Sequence, residues 1–220
     1  MSAGAAPGAD GDGALPDATM GLPLVPSSDG VVTVGVAVAV PEPHAGELRE
    51  RRRGFGDPMA DAVPAHVTLL PPTPVPVGDV DDVVAHLEGA ARCTAPFTMR
   101  LRGAGTFRPV SPVVFVQVAE GVSSCEVLEA AVRRGPLGRD VEFAYHPHVT
   151  VAHHVDAASL DRALVELSDY EVVFPVDAFW LYRHGDDGVW RPHQRFALTG
   201  PAPGRGAVRH GRAPGGRGDR

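Results

Sequence analysis

Two short stretches of this chain share one grammar. Pro64-Ala65-His66-Val67-Thr68-Leu69-Leu70 and His146-Pro147-His148-Val149-Thr150-Val151-Ala152 each place His-x-Thr behind a proline and follow it with aliphatic residues. The same order of elements surrounds both. In the first half, Val31–Val40 is β-branched and continuous, the pattern of a buried strand. Pro43 opens a helix running to about Gly54, His66–Leu70 reads as a strand ended by Pro71-Pro72, and Asp79 caps a helix carrying Val80, Val83, Val84 and Leu87 at helical spacing. Phe97–Leu101 is a further strand. In the second half, Val113–Val118 is a strand, Ser123 and Glu126 form a capping box, and Pro147–Ala152 is a strand. Asp156 caps the next helix, Glu171–Tyr182 is one long strand, and Gly185–Gly188 turns it back into Val189–Leu198. A unit of about 80 residues is too long for a solenoid repeat and suits two similar lobes. They fall at about residues 31–103 and 111–199 and face each other across a groove, a preferred place for ligands.

The spacing inside the motif has chemical meaning. Alternate residues of a strand share a face, so His66 and Thr68 point one way, as do His148 and Thr150. Val67, Leu69, Val149 and Val151 point into the core instead. With ten His and nine Thr in the chain, about 0.4 His-x-Thr triplets are expected by chance. Two in matching topology are therefore a signal. Imidazole titrates near neutrality, so a pair of them across a phosphate can serve as base and acid. Two Thr hydroxyls can donate hydrogen bonds to its non-bridging oxygens. The residues do not distinguish which His is base and which acid.

Composition removes several classes. The chain has no Lys, Asn or Ile, and all 20 of its basic residues are Arg. Schiff-base and lysyl-nucleotidyl chemistry and the P-loop lysine are thereby excluded. The formal net charge of −7 argues against a surface that coats nucleic acid. Residues 1–30, with four Asp and no Arg, and 200–220, with five Arg among Gly and Pro, read as disordered tails. Cys93 and Cys125 form no disulfide pattern and fit a reducing cytoplasm. No signal peptide is visible, and the longest apolar run, Val31–Val40, is too short to span a bilayer. A cytoplasmic monomer without a membrane partner is expected.

Other candidates are weighed against blander roles. His146, His148, His153 and His154 evoke a zinc site, but His148 and His153 have opposite strand parity and no Cys or acidic residue completes a set. Tyr145 and His146 precede the strand and can stack on a base or pack in a loop. Trp180 and Tyr182 read as core, and Arg51–Arg53 as a solvated helix end rather than a device to steer anions.

On the paired His-x-Thr motifs and the opening Val-Ala-Val-Pro-Glu-Pro, the sequence resembles the 2H phosphoesterase superfamily, also called 2′-5′ RNA ligase-like or LigT-like, over about residues 31–199. The resemblance implies an α+β bilobal fold: two pseudo-symmetric lobes of antiparallel-rich sheet, outer helices and a central groove. It also implies cleavage of cyclic phosphodiesters, typically 2′,3′-cyclic phosphates of RNA ends or nucleotides, with no metal or other cofactor. His66, Thr68, His148 and Thr150 take the catalytic positions, with His148 as base and His66 as acid; Tyr145, His146 and His153 are candidate substrate contacts. Some relatives carry Arg five residues after the second motif His, where this chain has His153. Some also join 2′-5′ RNA ends. The alternatives are a nucleotide- or RNA-end-binding protein without turnover and a zinc hydrolase.

Overall fold

The computed structural model describes residues 30–139 and 144–202. Nearly all of both expected tails lies outside these residues. The chain runs β1 (Val31–Ala39), α1 (His44–Phe55), β2 (His66–Pro76), α2 (Val80–Cys93), β3 (Phe97–Thr106), β4 (Val114–Glu120), α3 (Val122–Val132), β5 (His148–Ala152), α4 (Ala157–Glu166), β6 (Glu171–Val176), β7 (Ala178–His184) and β8 (Trp190–Ala197). The α+β, antiparallel, two-sheet architecture is as expected. One sheet has the order β2-β1-β7-β8 and the other β5-β4-β3-β6, and every pairing is antiparallel.

The sheets do not follow the sequence halves. β3 pairs with β4 and β6, while β7 pairs with β1. The first half thus gives β3 to the second sheet and the second half gives β7 and β8 to the first, so the 31–103 and 111–199 segments are not separate sheets. The expected single strand Glu171–Tyr182 is the crossing point. It breaks at Asp177 into β6, in one sheet, and β7, in the other. The Asp177 carbonyl leaves the ladder and accepts from Leu198 N–H at 2.8 Å. Helices cross as well: α1 packs on β5, and α3 packs on β2.

Three local expectations change. β2 does not stop at Pro71-Pro72 but continues to Pro76. It is the edge strand of its sheet, where a missing N–H can face away from the ladder. Helix α3 begins after Gly121, whose φ of 92° only glycine adopts freely, and has no side-chain cap, so the Ser123–Glu126 box does not form. Asp79 stands at the N-cap of α2 but its side chain caps nothing, because a 3₁₀ turn already leads into the helix. Asp156 does cap α4, accepting from Ser159 N–H at 2.7 Å.

Burial fixes the register of both motif strands. Val67, Leu69, Val149 and Val151 are at most 1% exposed. Each such side chain contributes about 1.5–3 kcal/mol when fully buried. A one-residue slip would expose all four and turn the His and Thr inward.

Candidate active site

β2 and β5 are edge strands that touch across the junction of the two sheets. His66 and His148 are their first residues, each half-buried like Thr68 and Thr150. Both rings are held alike. His66 Nδ1 lies 2.7 Å from the Pro64 carbonyl, and His148 Nδ1 lies 2.7 Å from the His146 carbonyl. A carbonyl only accepts, so each Nδ1 carries the proton, and each neutral ring keeps Nε2 as its basic atom. His66 Nε2 sits 3.1 Å from Thr68 Oγ1, which donates to it. The two-residue spacing thus places hydroxyl and imidazole within reach on one strand.

The surroundings differ between lobes. Beneath His66 lies a buried ion pair. Arg52 bonds Asp57 through Nε at 3.1 Å and Nη2 at 3.0 Å, and donates from Nη1 to the Val63 carbonyl at 2.9 Å. Asp57 Oδ1 accepts from Met59 N–H, so this pair pins the loop that delivers His66. Arg52 is therefore not part of a solvated helix end. Arg51 and Arg53 are, in exposed pairs with Glu47 and Glu166 and with Glu50 and Asp61. Around His148 lies a nest of rings. Phe107 meets it edge-on with centroids 4.9 Å apart, Phe115 lies at 5.1 Å and His146 at 5.9 Å.

Both histidines titrate below the ordinary imidazole range. Burial is the main cause for each. The Pro64 carbonyl opposes the shift at His66, and the Arg52 charge adds to it. For His148 the His146 carbonyl opposes, while charge on His146 and His66 adds. A protonated His66 thus favours a neutral His148.

The remaining candidates separate. Tyr145 packs against the core and its hydroxyl donates to the Thr68 carbonyl at 3.0 Å, tying the approach to β5 onto β2. Burial pushes that phenol far above its usual range. His146 is exposed beside the Phe107–Phe115 rings. His153 stacks on His154 at 3.6 Å; burial first, then the His154 charge, lower its pKa, while Asp57 opposes. Among the described residues no three His, Cys, Asp or Glu side chains gather as a metal site, and no helix is long and apolar enough to cross a membrane.

Sequence reading missed Arg52–Asp57, Phe107 and Phe115, and a cavity of about 170 Å³ beside His66 and Thr68 walled by Tyr182 and Trp190. None had a local signal. Arg52 and Asp57 straddle a helix end, and the ring and cavity residues converge from several strands.

The family model of the 2′-5′ RNA ligase superfamily matches residues 40–188, a span that includes both His-x-Thr strands. The chain belongs to that superfamily. A protein of Bacillus cytotoxicus named "Putative phosphoesterase" is 29% identical over 144 residues, covering 64% of this chain and 83% of its own. Among solved structures, TT0787 of Thermus thermophilus is 27% identical with a TM-score of 0.52, covering 77% of this chain and 100% of its own. LigT of E. coli, solved with 3′-AMP, shares the fold at 20% identity and a TM-score of 0.53, covering 77% of this chain and 99% of its own. Membership of the superfamily and these relatives support a phosphoesterase function of the LigT-like, two-histidine kind.

Proposed function

We propose that the protein is a metal-independent cyclic phosphodiesterase that opens 2′,3′-cyclic phosphates of nucleotides or RNA ends, with reversible 2′-5′ joining as a related capacity. The observation that carries this reading is the matched pair of imidazoles, each with Nδ1 spent on the carbonyl two residues back and Nε2 as its basic atom, at His66 within reach of the Thr68 hydroxyl. His148 takes a proton from water as its oxygen attacks phosphorus. A new P–O bond forms, the P–O bond to one ribose oxygen breaks, and protonated His66 gives that oxygen its proton. Thr68 and Thr150 donate hydrogen bonds to the charge that builds on the phosphoryl oxygens. Charge on His66 lowers the pKa of His148, which favours the state with one ring protonated and the other neutral, one acid and one base. His148 as base and His66 as acid follow the family resemblance. His146, beside the Phe107–Phe115 rings, and His153, stacked on His154, are the side chains offered for further substrate contact.

The nucleotide complex of LigT belongs to LigT, but it favours a nucleotide as the first ligand to try here. The test is turnover of adenosine 2′,3′-cyclic phosphate with the product resolved as 2′- or 3′-phosphate. Hydrolysis by the wild type that falls steeply in both His66→Ala and His148→Ala is expected. Tight binding with no hydrolysis would instead establish a nucleotide-binding protein.

A further inference from the structure

The cavity beside His66 and Thr68 has a feature that acid–base chemistry does not need. β1 lines it with Gly35, Val36 and Ala37, two of the three of them small. A β-carbon placed on Gly35 would stand 3.0 Å from Trp190 Cζ3 and 3.4 Å from Cη2. The six-membered ring of Trp190 therefore lies directly over the Gly35 backbone, a position no larger residue leaves open. Trp190 is anchored there through its backbone, its N–H donating to the Ala62 carbonyl at 2.9 Å. Gly35 pairs across the sheet with Tyr182, whose phenol burial pushes up to about 12, so the ring is present as the neutral phenol. Pro71 and Pro72 also line the cavity.

We infer that this cavity is a stacking slot for the nucleobase of the substrate, held by Trp190 and Tyr182, and that it does not read the identity of the base. The inference rests on the phosphodiesterase reading of the adjoining histidines and adds the part of the substrate that lies away from phosphorus. Size supports it: about 170 Å³ is well below the roughly 300–1,000 Å³ that encloses a whole drug-sized ligand. The slot suits one flat ring system whose sugar and phosphate continue to the mouth at His66. Chemistry supports it too. Apart from His66 and Thr68, only Tyr182 and Trp190 among the lining residues carry polar side-chain atoms, too few to match the donor and acceptor edges of a particular base. Every base has a π-face, so stacking tolerates all four.

The experiment compares adenosine, guanosine, cytidine and uridine 2′,3′-cyclic phosphates with methyl riboside 2′,3′-cyclic phosphate, which has no base. For the wild type, kcat/KM should be alike among the four nucleotides within about tenfold and higher than for the riboside. Trp190→Ala should cut the nucleotide-to-riboside ratio by about tenfold or more, mainly through KM. Gly35→Val, whose side chain displaces the ring, should do the same while the indole itself is retained. Saturable binding of adenosine 3′-monophosphate, followed by calorimetry, should weaken in parallel in both variants. Equal kcat/KM for nucleotide and riboside in the wild type, with Trp190→Ala changing neither, would overturn the slot and leave the phosphodiesterase reading intact. A strong preference for one base would overturn the claim that base identity is not read. If the wild type hydrolyses none of these compounds, the phosphodiesterase reading fails, and the calorimetric comparison alone decides the slot.

Discussion

At the scale of single residues, the proposed chemistry rests on His66 and His148, whose Nδ1 atoms are already committed to carbonyls. His66→Ala and His148→Ala remove half-buried side chains that fill no core volume. Each should lower kcat by about 10²–10⁴-fold, the worth of one general acid or base, with a normal melting curve as the control. The double variant should cost far less than the product of the two, since the base and acid act in one step. Thr68→Ala and Thr150→Ala each lose one hydrogen bond to the phosphate and should cost about tenfold. If His66→Ala kept full turnover and merely melted earlier, His66 would be structural. The pH dependence follows from the downward shifts. Both histidines titrate below the usual imidazole range, so kcat/KM should be bell-shaped with both limbs, and the optimum, on the acid side of about 6.5. The same shifts act on stability. The unfolded chain binds these protons more readily, so stability is full above the unfolded pKa and falls as pH drops below about 6.5. Replacing both with Gln should flatten the acid-side decline in Tm; an unchanged decline would show that other groups control it.

At the scale of elements, two devices hold the motif strands in place. The first is the Arg52–Asp57 pair, with side chains 5% and 0% exposed. Its geometry joins the end of α1 to the loop before His66, through Val63 and Met59. Asp57→Ala leaves a buried guanidinium unpaired and should destabilise by about 3–5 kcal/mol in chemical denaturation. Arg52→Met combined with Asp57→Leu removes both charges and should recover much of that loss, which a simple packing role would not allow. The second device is the Tyr145 hydroxyl on the Thr68 carbonyl. Tyr145→Phe keeps the ring in the core and removes one hydrogen bond, worth about 1 kcal/mol. In a protein of this size that lowers Tm by about 2–4 °C.

At the scale of the whole molecule, the exchanged strands make the lobes interdependent. The first sheet needs β7 and β8 from the end of the chain, and the second needs β3 from the first half. Fragments cut in the 107–113 connection should therefore fail to unfold cooperatively when separate and should regain structure when mixed; two independent transitions would refute this. Hydrolysis is also expected to survive EDTA. Loss on chelation with recovery in Zn²⁺ or Mn²⁺ would move the reading to a metal hydrolase.

The sequence by itself determined the local alternation that aims chemistry to one side. His66 with Thr68, and His148 with Thr150, share faces because strands have a period of two, and Val67, Leu69, Val149 and Val151 were bound to be core for the same reason. The Asp156 cap and the turn at Gly185–Gly188 were equally local, set by a side chain three residues from its N–H and by a tight hydrogen-bonded turn. Where a strand bends into another sheet was not local. Glu171–Tyr182 is continuous in composition, and only the packing of β6 on β3 and of β7 on β1 breaks it at Asp177. The prolines of β2 looked like a terminator because nothing in the chain says that this strand lies at an edge. Arg52, read as a solvated cation, turns inward because Asp57 and the Val63 carbonyl wait there. Tyr182 and Trp190 face a cavity because Gly35 lies beneath them across the sheet. Such contacts join residues far apart in the chain, and only the tertiary structure decides them.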